Sequence, residues 1–185
     1  MLKKLKETNG SISVYVIIIL VFLMPFAIWV GIELPKTHEI NQRVKDAVDS
    51  ASASAVTAID SSSINGDSTV IPLDREGAKG IAVQIFASKM GLKVQGDASN
   101  IEVVPKEGSI IEDAVLEVDV LDEESGVTGD TSRPFYVQTQ NGKRKIENST
   151  VIVTATVTYQ KIGFMGRDIT VTHVGMSQAK MNPVR

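Results

Sequence analysis

The stretch VYVIIILVFLMPFAIWVGI, residues Val14–Ile32, governs how the rest of the chain is read. It is the centre of an uncharged run from Ser11 to Ile32, 22 residues that are mostly large and apolar. As a helix such a run covers about 33 Å at about 1.5 Å per residue, enough for the hydrocarbon core of a bilayer. A cleaved signal peptide is the competing reading. Its apolar region is about 7–15 residues long and ends at a small-x-small site. Here the run ends in Trp29-Val30-Gly31-Ile32-Glu33-Leu34-Pro35 with no such site, so the sequence predicts a retained single-pass transmembrane helix. Lys3, Lys4 and Lys6 precede it, whereas Glu33, Lys36, His38 and Glu39 follow it without a cationic excess. The positive-inside bias then places the N-terminus in the cytoplasm and the C-terminal domain outside, at the cell membrane.

Working outward, Thr37 is an N-cap candidate. After it Ile40, Val44, Ala47, Val48, Ala51, Ala55 and Ile59 recur at helical spacing. The stripe is narrow and built of small residues, and it allows two readings. It either covers the protein's own sheet or packs on neighbouring subunits, with Val44, Ala47, Val48, Ala51 and Ala55 as the candidate assembly face. Ser61–Ser68 reads as a loop, with a turn at Asn65-Gly66. Asp74 caps a helix over residues 75–90, with Ala78, Ile81, Ala82, Ile85, Phe86 and Met90 as its stripe and Gly91 as its end.

The period then changes to two. Strands are expected at 101–104, 114–121, 134–139, 150–161 and 168–176, with turns at Asn141-Gly142 and at 163–166. Short connections favour antiparallel pairing. The expected class is α+β. A transmembrane helix continues into a small-residue helix, followed by a second helix and one antiparallel sheet of about four or five strands. The divisions are 1–10 basic leader, 11–34 transmembrane helix, 35–60 Ala/Ser-rich helix and 61–185 α+β domain.

Composition narrows the function. Net charge is −3, and residues 8–185 alone carry −5, which gives no reason to expect nucleic acid. No cysteine is present, so disulfides, thiolate metal sites and a cysteine nucleophile are excluded. No P-loop, G-x-G-x-x-G, H-E-x-x-H or G-x-S-x-G element occurs. Neither His38 nor His173 belongs to a catalytic pattern, and the chain reads as a non-enzyme without a cofactor. The acidic segment 119–130, with Asp119, Asp122, Glu123, Glu124, Gly126 and Asp130, is the one calcium candidate, although it lacks EF-hand spacing. Lys143, Arg144 and Lys145 read as a solvated hairpin tip. Asn148-Ser149-Thr150 fits a glycosylation sequon.

One resemblance rests on the first third of the chain. A short basic leader ends in Gly10, a small polar residue follows, then the apolar run, Gly31-Ile32-Glu33 and the Ala-rich INQRVKDAVDSASASAV. This resembles the N-terminal module of TadE/TadG-like pilus assembly proteins, the pseudopilins of tight-adherence (Flp) pili. Asn41-Gln42, Ala47, Asp49 and Ala51 match the family's Ala-rich helix. Many type IV pilins carry a glutamate five residues after the processing site, where this chain has Tyr15. The resemblance implies a pilin-like architecture, a prepilin-peptidase site at Gly10–Ser11, and partners that are the bilayer, other pilus subunits and the peptidase. The function expected is that of a membrane-anchored minor pilin or pseudopilin acting by subunit packing. The alternative is an anchored ligand-binding or sensor module with an outer sheet domain.

Overall fold

The computed structural model describes residues 2–62, 70–96, 101–129, 135–139, 142–162 and 167–180. Helix α1 runs Leu2–Ala55 and α2 runs Arg75–Met90. The strands are β1 Lys93–Gln95, β2 Glu102–Val104, β3 Ile111–Leu121, β4 Phe135–Thr139, β5 Gly142–Ile146, β6 Thr150–Ile162 and β7 Arg167–Gln178. A single 3-10 turn, Glu123–Ser125, follows β3.

The architecture is α+β, but two parts of the expectation are corrected. The first is the membrane span. Among the described residues no helix is long and apolar enough to cross a membrane. The transmembrane helix, the single-pass topology and the cell-membrane placement are corrected by that finding.

The second correction is the sheet. The strands form three small sheets, β1-β2, β3-β6-β7 and β4-β5, all antiparallel. A single sheet of four or five strands does not form, because β4 and β5 spend their apolar side chains elsewhere. Phe135, Val137 and Ile146 close over a satellite cluster with Val70, Val127, Leu121 and Met176. Strands β1 and β2 pair only with each other. The basic segment 143–145 is therefore strand, not turn. The turns expected at Asn65-Gly66 and 163–166 lie outside the described residues, as does Asn141.

Thr37 does not begin a new helix. It lies inside α1, which continues through Pro25 and Pro35. A proline has helical φ and deletes one amide donor, so it weakens a long helix without ending it when both flanks are helical. Helix α2 keeps the predicted boundaries. Asp74 accepts the Gly77 amide at 3.0 Å, and Gly91 closes the helix at φ 71°, a left-handed conformation open to glycine.

The core lies between the helices and one face of β3-β6-β7. Val151, Val153, Ala155, Val157 and Tyr159 alternate inward along β6 and are buried. The small-residue stripe of α1 covers them. Val44, Ala47, Val48, Ala51 and Ala55 all belong to this core. The approach is closest at Gly175 of β7. A Cβ there would stand 2.8 Å from Val48 Cγ1 and 2.9 Å from the Val48 carbonyl oxygen. The contact continues along the helix, with the Ser52 hydroxyl 3.1 Å from the Ser177 hydroxyl and Asn41 Oδ1 3.0 Å from His173 Nε2. On the outer face threonines pair across strands, Thr156 with Thr172 at 3.0 Å and Thr158 with Thr170 at 3.2 Å.

Helix and sheet touch backbone to backbone here, so added volume has nowhere to go. Ala51→Leu and Gly175→Ala should each lower the unfolding free energy of the chain by about 1–3 kcal/mol. Ala53→Leu, on the exposed side of the same helix, should change it by no more than about 0.5 kcal/mol. Chemical denaturation of the three variants checks this.

Candidate assembly surface

Helix α1 has two environments. From Ile40 onward one face is in the core. Before it, from Val14 to Ile28, large apolar side chains stand in the open, from 47% exposure at Ile18 to 75% at Phe22. They surround the helix instead of forming one stripe, because the run is continuous in sequence. A helix that is apolar all round is one that other apolar surface encloses. Exposed apolar surface of this extent is what interaction surfaces commonly present.

The candidate processing residues Gly10 and Ser11 lie within the helical span of α1, and their side chains are outside the described ones. The candidate assembly face lies elsewhere from the exposed arm. Val44, Val48, Ala51 and Ala55 are 0% exposed and Ala47 is 1% exposed, all packed on the chain's own elements. Of the two readings of that stripe, the structure takes the first. Small residues fit there because β7 comes so close.

The other candidates have structural employment. Asp122 is nearly buried and caps the 3-10 turn by accepting from the Ser125 amide at 3.2 Å. Arg75, at the start of α2, donates to it twice, through Nε at 2.8 Å and through the neighbouring amino group. It also reaches Ser125 at 3.1 Å and Glu124 at 3.3 Å. The hydrogen bond from Arg75 holds the Asp122 carboxyl below the usual aspartate range, against the opposing effect of burial, and the Ser125 amide helps. The acidic segment thus anchors α2 to the end of β3 through a guanidinium. Among the described residues no three metal-ligating side chains gather, and Asp130 lies outside them. Sequence reasoning missed this link, although Asp122 and Ser125 carry the three-residue spacing of a helix cap.

In the sequon, Asn148 Oδ1 accepts the amides of Ile71 and Ser149, both at 2.9 Å, while the Ser149 hydroxyl donates to the Ile71 carbonyl. The motif therefore ties the segment before α2 to the start of β6. His38 lines a shallow charged groove with Glu39, Gln42, Arg43, Asp46 and Lys89, and His173 meets Asn41 as described above. The hydroxyl of Tyr159 is buried with no hydrogen-bond partner among the described residues, and burial pushes its pKa up.

Comparison with known protein families, curated proteins and solved structures finds no match to this chain.

Because the folded-state pKa of Asp122 is lowered, its contribution to stability is fully present above the ordinary aspartate value of about 3.9. It is lost as pH falls through the lowered folded value. Asp122→Asn should therefore lower the melting temperature by a few degrees at pH 7. The gap from the parent chain should narrow steadily below about pH 4. Melting curves across pH 2–7 (about five points suffice) read this directly.

Proposed function

We propose that the chain is a pilin-like assembly subunit, a minor pilin or pseudopilin of the TadE/TadG kind, that works by packing its helical arm against the arms of other subunits. The observation that carries this reading is the exposure of the apolar residues from Val14 to Ile28 on a helix whose other half is locked to the sheet. The arm is held at a set angle by the head, so copies can bring their apolar surfaces together in register. Burying a large aliphatic or aromatic side chain is worth about 1.5–3 kcal/mol, and the arm offers many of them. The head then serves as the outward-facing part of the assembly, without catalytic machinery.

The leader belongs to the same reading. A prepilin peptidase cuts between Gly10 and Ser11, and the mature chain begins at Ser11. N-terminal sequencing of the chain from cells that hold such a peptidase checks this. A mature chain that starts at Met1 or Leu2 refutes the processing step.

The absence of native cysteine makes the packing itself easy to test. Full-length chain carrying Phe22→Cys should form disulfide-linked dimers under mild oxidation in neutral detergent solution. Lys180→Cys, on the exposed end after β7, serves as the control and should form far fewer. Introducing Ile18→Glu beside Phe22→Cys should abolish the dimer, because a carboxylate cannot be buried among apolar arms without a partner. Equal crosslinking at the two cysteine positions would refute arm packing.

A further inference from the structure

Two exposed patches of the head complement one another in charge. Strand β3 carries four carboxylates and no cation, whereas the β4–β5 hairpin carries three cations and no carboxylate. The register puts Asp113, Val115 and Glu117 on the outer face, opposite Thr158, Thr156 and Thr154. All three are exposed, and Val115 is an apolar residue at 49% exposure between two acids. On the hairpin Tyr136 lies opposite Lys145, and Gln138 opposite Lys143. These four share one face, and Tyr136 is 55% exposed there. Side chains two apart on a strand recur every 6.5–7 Å or so. Asp113 and Glu117 therefore flank Val115 at that step. Tyr136 has Lys145 directly across from it and Lys143 on the diagonal.

The two patches cannot meet within one molecule. The opposite face of the hairpin, with Phe135, Val137 and Ile146, is committed to the satellite cluster over Leu121 and Met176, which turns the Tyr136 face away from the sheet. Among the described residues no ion pair engages Asp113, Glu117 or Lys143, and Lys145 has only its exposed pair with Glu147 at 3.0 Å. Such a pair is weak and readily exchanged.

We infer that the outer face of β3 in one copy receives the Tyr136–Lys143–Lys145 face of the hairpin in a second copy. Tyr136 covers Val115, and the two lysines meet Asp113 and Glu117. Donor and acceptor patches are different surfaces, so the contact is head-to-tail. A contact of that kind propagates a filament unless its rotation closes a ring. The inference rests on the assembly reading above and names the contact between heads that would accompany the packing of arms.

The test mixes full-length copies carrying Gln138→Cys with full-length copies carrying Thr156→Cys, positions on the two docked faces that carry neither the charges nor the Tyr136–Val115 contact. A mixed disulfide should form. It should fall at least tenfold when the Gln138→Cys copy also carries Lys143→Glu and Lys145→Glu, and likewise at about 0.5 M salt, where charges are screened beyond a few ångströms. It should return when the charge-reversed copy is mixed with a Thr156→Cys copy carrying Asp113→Lys and Glu117→Lys. Rescue by the double reversal excludes misfolding of either variant. A mixed disulfide indifferent to charge reversal overturns the docking mode. No mixed disulfide, with the Phe22→Cys arm crosslink intact, overturns the head contact and leaves the assembly reading standing. Loss of both refutes both.

Discussion

The fold depends on how closely α1 approaches β7. At Gly175 the strand has no side chain, and Val48 fills the space with its own side chain and backbone carbonyl. Around that point the partners are small on both sides, with Ala47, Ala51 and Ser52 on the helix and Ser177 on the strand. Larger residues would hold the helix off the sheet, and the valines of β6 beneath it would face a gap. In a close-packed interior a gap of that kind forfeits contact energy along its whole lining. The remaining elements assemble on this seam. Helix α2 packs beside α1 over the same sheet face, and Arg75 fastens its beginning to Asp122.

The same seam divides α1 into two functional parts. The C-terminal part is an internal element with its volume fully committed. The N-terminal part emerges from the head with its apolar residues uncovered. One continuous helix carries both the packed segment and the exposed apolar segment.

Much of the local structure was legible in the residues. The Asp74 cap, the stripe of α2 and the αL glycine at 91 mark that helix completely, because caps and periodicity are local physics. The alternation in 150–161 marks β6 for the same reason. Less was legible wherever a residue serves a distant partner. Lys143–Lys145 carry no strand signature, since three consecutive cations favour solvent, yet they pair with β4 because Phe135, Val137 and Ile146 anchor that hairpin on the satellite cluster. The one-sheet expectation failed for this reason. Alternation says that a segment is a strand but not which strand it joins.

The sequence by itself determined α2 and β6, the lack of cysteine, and the presence of a small-residue stripe and an uncharged apolar run. These follow from side-chain size, charge and period, which need no neighbours. Only the tertiary structure decided where the stripe packs and which part of the run is exposed. Alanines at helical spacing permit close approach by any backbone, and the nearness of Gly175 assigns that approach to the chain's own sheet. An apolar run permits any apolar surroundings. The structure shows its residues from Val14 to Ile28 exposed, on a helix whose other half is packed in the core. Distance in space, not pattern in sequence, made both assignments.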